Sequence, residues 1–447
     1  MKDKIKIING LAVLPDRIGS VSIEIEGGII TDINNRKKTS KSELVIDARG
    51  KFILPGFVDI HTNGIAGFDL SNGVYELNSG NFISDESNYI KGLNKALKAY
   101  AKTGVTRVLL TSLASPLEQL KKVFGFINLY KSELNNSPWK EILEGLYIEG
   151  TFIKLHEYRG AHNPEYFNKP SIKLFDELQK ASGRLIKIVN VVPEWGEDSL
   201  KLIKYLSKNN IVCAAGHTGA TGTQYQQAIK NGLTLAIHFL NGPTGSSSKP
   251  FGEGGAVENI LRSKEMFVEI ITDGYHVDKS YVLDTIKRKG FDKICVITDS
   301  MFAAAFKGLK RFNVFGIDGS VSKDGKYLQI SDREYSLFGS LLTMDKAFSN
   351  ILTWLTNPIY GVWNELHSPL SYEEAIIKAT AMCSKNPAEV LGMYEPSNDR
   401  KNNVKNDLFT GSLEVGKSAD IIIAEIKKIN KNYKLKIGNV IVKGQML

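Results

Sequence analysis

The sequence predicts an α/β fold, a (β/α)8 barrel with a small β domain formed by both ends of the chain. Eight short, continuous apolar segments are typical of strands that are buried on both faces. Helical patterns separate these segments, and this alternation predicts a parallel sheet that closes into a barrel at eight strands. Both ends of the chain instead carry alternating patterns that are rich in turns, which favours a separate β domain.

The Pro55-Gly56 pair marks the boundary between the two domains. We therefore expect residues 1–54 and 397–447 to build the β domain and residues 55–396 to build the barrel. The polar stretch at 397–407 is expected to link the barrel to the last part of the chain. Strand patterns in the two terminal parts lie at residues 5–8, 21–25, 29–33, 420–424, 433–437 and 440–444.

The predicted barrel strands alternate with helices up to residue 299. One such helix, at 224–230, is closed by Asn231-Gly232. Beyond residue 299 the alternation stops, and the Gly- and Asp-rich segment 315–330 is expected to pass over the site. The predicted barrel strands begin at Val58 and continue at residues 105–111, 143–150, 185–192, 211–215, 233–237, 266–276 and 294–299.

Composition and charge argue against several classes of protein. The 447 residues carry a net charge of +9. The basic residues are spread along the chain, which favours solvated faces over a nucleic-acid site. No apolar run approaches about 18 residues, the length that a membrane span needs, and the charged N-terminus does not resemble a signal peptide. The three widely spaced cysteines are typical of a reducing compartment. We expect a cytoplasmic protein whose basic surface attracts a small anionic substrate.

Polar side chains follow several predicted barrel strands where these strands end. His217 and His238 follow two successive strands, and Glu149 ends an earlier one. The carboxyl ends of parallel barrel strands meet at one rim, where two imidazoles and a carboxylate can hold a catalytic metal ion with a position open for water. Asp299, after the last strand, is suited to take a proton from that water.

The first predicted barrel strand adds a second pair of side chains to this rim. His61 and Asn63 alternate along the strand, so both can face the barrel mouth and offer a second metal position. Zinc is the expected ion, although iron, manganese and cobalt accept the same set of ligands.

These motifs resemble those of the amidohydrolase superfamily, and within it the N-acetylglucosamine-6-phosphate deacetylase family. Residues 55–64 (PGFVDIHTNG) are similar to the family's first barrel strand, and residues 147–152 (YIEGTF) to its metal-ligand stretch. The resemblance covers nearly the whole chain. Further similar motifs lie at residues 160–164, 216–217, 238–241, 273–276, 298–301, 386–388 and 411–420.

The resemblance implies an amidohydrolase-type barrel with a β-sandwich domain, and hydrolysis of the acetamide of an N-acetyl amino sugar 6-phosphate. It implies one divalent metal ion per subunit on Glu149, His217 and His238. Asp299 would act as general base and then general acid, and His162 would polarise the acetyl carbonyl. The substrate-binding residues that the resemblance implies are Ala161, His162, Asn241, Gly242, Lys249, Asp273, His276, Leu337, Phe338 and Gly339.

The resemblance also implies a homodimer, because the family's phosphate-binding basic residue can come from the partner subunit. Lys249 stands where the family often has an arginine. Asn63 replaces the second histidine that many members carry, and an amide is a poor zinc ligand, so we predict one tightly held metal ion. The stretches 242–248 and 302–306 also depart from the family pattern, and we expect them to surround the sugar and the phosphate.

Three alternatives stay open at this point. The same chemistry could act on N-acetylgalactosamine 6-phosphate. Another amidohydrolase activity could act on a cyclic amide or a dipeptide, with no dependence on phosphate. A catalytically silent protein that binds a sugar phosphate or a nucleic acid would show strong, salt-dependent binding instead.

Overall fold

The computed structural model describes residues 4–34, 44–132, 137–241, 254–333, 336–360, 365–395 and 409–447. The predicted link at 397–407 lies outside these residues. The strands are β1 (Lys4–Val13), β2 (Ile18–Glu26), β3 (Ile29–Asn34), β4 (Leu44–Asp47), β5 (Phe52–Pro55), β6 (Phe57–Thr62), β7 (Gly64–Ile65), β8 (Phe68–Asp69), β9 (Gly73–Glu76), β10 (Asn81–Ile83), β11 (Val105–Ser112), β12 (Leu143–Ile148), β13 (Ile186–Asn190), β14 (Val212–Ala215), β15 (Leu233–Ala236), β16 (Phe267–Ile271), β17 (Ile294–Ile297), β18 (Arg311–Val314), β19 (Ile317–Val321), β20 (Leu328–Ile330), β21 (Ile359–Tyr360), β22 (Glu365–His367), β23 (Ile421–Ile429), β24 (Asn432–Val442) and β25 (Gln445–Met446).

Helices occupy the predicted places between the barrel strands. The helix expected at 224–230 begins with a capping box, in which Thr221 and Gln224 exchange side-chain and backbone hydrogen bonds, and ends at Gly232 with φ 117°. None of the helices that are described here is both long and apolar enough to cross a membrane. The α-helices are α1 (Glu86–Lys102), α2 (Leu117–Ser132), α3 (Ile172–Ala181), α4 (Glu197–Lys208), α5 (Gly222–Asn231), α6 (Ala256–Arg262), α7 (Lys279–Lys289), α8 (Met344–Leu355), α9 (Tyr372–Cys383) and α10 (Lys385–Val390).

The barrel is a parallel sheet of eight strands in the order β17-β16-β15-β14-β13-β12-β11-β6. The eight strands are those that the sequence predicts, and β11 and β6 are buried along their whole length. The first and last strands are joined at their carboxyl ends: the backbone N–H of Asp299 donates to the carbonyl of His61 at 2.9 Å, and the Thr298 hydroxyl donates to Asp59 at 2.6 Å. The closure therefore lies directly beside the predicted site.

Strands from both chain ends form a second sheet, in the order β25-β24-β23-β5-β1-β2-β3, with β4 paired to β1. The two ends of the chain pair directly through β5 and β23. In this pair Ile53 lies opposite Ile423, and Pro55 lies opposite Ile421. Apolar side chains of these strands form a core cluster separate from that of the barrel. A small domain built by both termini is thus confirmed, while its limits at residues 54 and 397 stay predictions.

A short sheet of β18, β19 and β20 follows the barrel and lies at its mouth, as expected for the segment 315–330. The Asn163 side chain donates to the carbonyl of Phe315 at 2.9 Å, which ties this sheet to the loop after β12. One expectation for this region is wrong. Residues 302–306 do not line the cavity, because Phe302 is fully buried between Tyr75 and Phe312, at centroid distances of 4.9 and 5.3 Å.

A buried ion pair connects the barrel to the terminal sheet. Arg107 on β11 donates to Asp420 through Nε at 3.0 Å and Nη2 at 2.8 Å, and only 2% of the arginine is exposed. Arg107→Ala leaves the Asp420 carboxylate buried without its cation, so we expect a loss of about 3–5 kcal/mol in the free energy of unfolding. Urea denaturation followed by circular dichroism measures this loss.

The exposed pair of Arg49 and Asp47, 3.6 Å apart, provides the matched control. Arg49→Ala should cost less than about 1 kcal/mol, because water screens an exposed pair. Equal losses in Arg107→Ala and Arg49→Ala would contradict a stabilising role for the buried pair.

Candidate active site

Four predicted side chains lie just beyond the carboxyl ends of barrel strands. Glu149 follows β12, His217 follows β14, His238 follows β15 and Asp299 follows β17. The last three have positive φ angles of 54°, 23° and 47°. A residue other than glycine seldom adopts this backbone region, and such strain concentrates at functional sites, where the surrounding structure holds it. The backbone thus turns these side chains towards one another.

Three of these side chains form a compact group of metal-ligand type. Glu149 Oε1 lies 3.3 Å from His217 Nε2 and 3.0 Å from His238 Nε2, and the two Nε2 atoms are 3.1 Å apart. All three residues are buried, and this is the one set of three potential ligands found among the described residues.

The hydrogen bonds behind the two rings decide where their protons lie. His217 Nδ1 is 2.9 Å from the carbonyl of Tyr158, and His238 Nδ1 is 3.2 Å from the carbonyl of Asn241. A carbonyl only accepts, so in the neutral ring each Nδ1 carries the hydrogen and each Nε2 presents a lone pair. Two lone pairs and a carboxylate oxygen at these distances repel one another unless a cation lies between them. The donor set therefore fits a divalent metal ion.

The pKa values of this group are shifted by burial and by neighbouring charges. Burial lowers the pKa of His217 to about 4, so its ring is neutral near pH 7. Burial also lowers the pKa of His238, but the Glu149 carboxylate outweighs it and the net shift is upward. Burial opposes ionisation of Glu149, yet the rings of His61 and His162 hold its pKa well below the ordinary value. The deprotonated Glu149 carboxylate and the neutral ring of His217 are thus the forms that bind a metal ion.

His162 has the opposite ring arrangement from His217 and His238. The backbone N–H of Ala114 donates to His162 Nδ1 at 3.1 Å, so in the neutral ring Nε2 carries the hydrogen. That Nε2 lies 3.6 Å from Glu149 Oε2 and the ring lines the cavity. His162 is therefore arranged as a hydrogen-bond donor at the edge of the metal group.

Asp299 is held by Asn63. The amide nitrogen of Asn63 donates to Asp299 Oδ1 at 2.9 Å. Burial raises the pKa of Asp299, and the Glu149 charge adds to the effect, while His61 opposes it. A raised pKa brings a carboxylate closer to the basicity that general-base catalysis requires. Asn63 thus orients the carboxylate by hydrogen bonding, a role that the sequence did not indicate.

His61 lies below these groups and is fully buried. Its Nδ1 is 2.8 Å from Glu269 Oε2, and its Nε2 is 3.6 Å from both Glu149 Oε1 and Asp299 Oδ1. Burial lowers the pKa of His61, but Glu269 and Glu149 raise it well above the ordinary value. Glu269 also accepts the backbone N–H of His238 at 3.2 Å.

A cavity of about 370 Å³ opens above this group. Two predicted substrate residues, Gly242 and Lys249, lie outside the described part of the chain. Asp273 lies behind His276, whose Nδ1 is 2.6 Å from its carboxylate, so Asp273 orients the ring. The predicted residues that line the cavity are Glu149, Ala161, His162, His217, His238, Asn241, His276, Asp299, Leu337, Phe338, Gly339 and Asn63.

Sequence reasoning missed Glu269 and Arg333, and it gave no role to Tyr275 within the 273–276 motif. Glu269 could have been predicted from the sequence, because a carboxylate that is buried within an apolar strand such as β16 needs a hydrogen-bond or charge partner. Arg333 and Tyr275 both line the cavity from loops, and no pattern distinguishes Arg333 from a surface residue.

Comparison with known proteins places this site in a family. The sequence model of the Amidohydrolase family matches residues 52–447. The chain is 27% identical over 401 residues to the N-acetylglucosamine-6-phosphate deacetylase of Bacillus subtilis, covering 89% of this chain and 87% of that protein. It is 26% identical over 383 residues to the N-acetylgalactosamine-6-phosphate deacetylase of Escherichia coli O157:H7, covering 85% of each.

A solved structure supports the same fold. The crystal structure of N-acetylglucosamine-6-phosphate deacetylase from Pasteurella multocida superposes with a TM-score of 0.77 over 99% of both chains, at 23% identity. The family match over most of the sequence, the eight-stranded barrel and the ligand group at its rim agree with one another. The chain belongs to the amidohydrolase family.

Proposed function

We propose that this protein hydrolyses the acetamide of N-acetylglucosamine 6-phosphate, giving glucosamine 6-phosphate and acetate. The observation that carries the proposal is the convergence of Glu149, His217 and His238 beside Asp299 and the Nε2–H of His162. The names of the Bacillus subtilis and other curated relatives support this substrate. We further propose a cytoplasmic homodimer.

Glu149, His217 and His238 would hold one divalent ion, zinc in our proposal, with iron, manganese or cobalt as the other ions that suit the set. Such an ion supplies a Lewis acid that polarises the amide carbonyl and increases the acidity of water. Glu149, His217 and His238 are the one group of three possible ligands among the described residues, which supports a single tightly held ion.

The protein's own side chains move the protons. Asp299 takes a proton from the attacking water as the new C–O bond forms at the acetyl carbon. The Nε2–H of His162 donates to the carbonyl oxygen while negative charge develops there. Asp299 then gives its proton to the amine nitrogen as the C–N bond breaks. The second proton of the water passes from the new carboxyl group to the amine, so the products are acetate and the ammonium form of the amino sugar phosphate.

The remaining cavity residues would bind the sugar phosphate. Leu337, Phe338 and Gly339 are proposed to close over the sugar ring, beside Ala161. His276, held by Asp273, and Asn241, with Gly242 and Lys249, are proposed to face the phosphate. The buried Nε2 of His276 has no hydrogen-bond partner among the described residues, which suits a ligand contact.

Acetate release tests the proposal. Purified protein is assayed with N-acetylglucosamine 6-phosphate, the galactosamine isomer and unphosphorylated N-acetylglucosamine. We expect turnover that depends on the phosphate, with the glucosamine isomer preferred. The relative from Escherichia coli favours the galactosamine isomer as the second candidate, and a reversed ratio would select it. Turnover of a dipeptide or a cyclic amide without phosphate dependence would reject both.

His162→Asn should lower kcat about 100-fold while the metal content and KM change little, because the lost hydrogen bond strengthens only as charge develops on the oxygen. Acetate release and metal analysis on the same preparation measure both quantities. His156→Asn removes an exposed ring on the same loop and serves as the control. A large loss of metal in His162→Asn would instead make His162 a ligand.

A further inference from the structure

Arg333 lies in the described lining of the site cavity and has no role in the proposed mechanism. In the portion of its lining that the structure describes, Arg333 is the only lysine or arginine. The same lining carries the carboxylates of Glu149, Glu157 and Asp299. A phosphate dianion that enters such a cavity meets negative charge and needs a compensating cation near it.

Hydrogen bonds fix the backbone on both sides of Arg333. The Arg333 N–H donates to the carbonyl of Ile330 at 3.4 Å, and the Ser336 N–H donates to the carbonyl of Arg333 at 3.2 Å. Ile330 in turn donates to the carbonyl of Ser336 at 2.9 Å, which draws the two ends of this segment together. Leu337, Phe338 and Gly339, which line the cavity, follow immediately. The backbone that carries the Arg333 side chain is therefore held in place in the cavity wall.

The guanidinium itself is only partly engaged. Nη1 donates to the carbonyl of Gly160 at 3.2 Å, in the loop that carries Ala161 and His162. The side chain is partly buried and makes no ion pair with any carboxylate in the described ranges. Since an arginine has five N–H donors in a planar fork, this contact steers the group while leaving donors for a ligand.

We infer that Arg333 binds the phosphate of the substrate, so that each subunit supplies an arginine to its own site. The inference rests on the proposed function, since it assigns the residue that selects a phosphorylated amino sugar over the free sugar. A guanidinium matches two phosphate oxygens at once, whereas the lysine at position 249 can act only as a point charge.

The test compares two substrates in three variants. In Arg333→Ala, kcat/KM for N-acetylglucosamine 6-phosphate should fall about 10- to 100-fold, mainly through KM, the range expected when a hydrogen bond to a charged group is lost. Activity on unphosphorylated N-acetylglucosamine should stay within about 2-fold, because that substrate never uses the contact. Arg333→Lys should lie between the wild-type protein and Arg333→Ala, because it keeps the charge and loses the fork.

Arg311→Ala is the matched control, because Arg311 is an exposed arginine on β18 of the same small sheet and does not line the cavity. It should leave both substrates unaffected. Competitive inhibition by inorganic phosphate gives an independent readout, which should weaken in Arg333→Ala and stay unchanged in Arg311→Ala.

Three results would overturn the inference. An equal loss on both substrates in Arg333→Ala would mean that the arginine only ties its segment to Gly160. A wild-type preference for the phosphorylated sugar that persists in Arg333→Ala would assign the phosphate to other residues while the proposed function stands. A wild-type protein without any phosphate preference would contradict the proposed substrate and this inference together.

Discussion

Asp299→Asn should lower kcat about a thousandfold and leave the metal content unchanged. The asparagine keeps the shape of the side chain but has no lone pair basic enough to take a proton from water, and general acid–base catalysis contributes effects of this size. The metal stays because Asp299 is not one of the three converging ligands. Acetate release and elemental analysis of the same sample measure the two quantities.

Asp16→Asn changes an exposed aspartate that is far from Asp299 in the sequence. It is the control for the loss of one negative charge and for the preparation of the sample. Its activity should match that of the wild-type protein. Near-normal turnover in Asp299→Asn would remove Asp299 from the proton transfers proposed here. Loss of metal in that variant would make Asp299 a ligand instead.

Glu149→Ala should lose both metal and activity. Glu149 is the only anionic member of the ligand group, and its removal leaves two neutral imidazoles, His217 and His238, with one charge fewer to hold a divalent ion. After dialysis against a chelator and then against zinc, we expect the content to fall from about one ion per chain to under about 0.1. Zinc should also raise the melting temperature of the wild-type protein and not that of the variant, because an ion that binds only the folded state stabilises it.

Glu118→Ala, at an exposed glutamate in the first turn of α2, is the control and should keep its metal. Full metal content in Glu149→Ala would show that the ion binds elsewhere. Because His61 Nε2 and Asp299 Oδ1 lie 3.6 Å apart, that pair would then be the next to replace.

The barrel could be predicted because its strands are buried on both faces. Such strands are short, continuous apolar runs, and β11 and β17 stand out between polar helices for that reason. His217 and His238 could be predicted for a related reason. Each follows one of two successive parallel strands, and the geometry of the barrel brings the ends of such strands to one rim.

Contacts between segments that are distant in the sequence could not be predicted. The Nδ1 of His162 is fixed by Ala114, 48 residues earlier, and the site's arginine comes from a loop that reaches Gly160 across 173 residues. Phe302 is the converse case, in which the structure lacks a contact that was predicted. Its position next to the Asp299 motif suggested contact with the sugar, but an apolar cluster with Tyr75 and Phe312 buries it.

The most direct test of a metal-dependent amino-sugar phosphate deacetylase combines metal content with acetate release in one preparation. We expect about one divalent ion per chain, the number that the one three-residue ligand group among the described residues can hold. We also expect rapid turnover of N-acetylglucosamine 6-phosphate that is lost on chelation and restored by zinc. A protein that holds its metal and releases no acetate from either phosphorylated isomer would contradict the proposed substrate. Full activity after complete removal of metal would contradict the proposed chemistry itself.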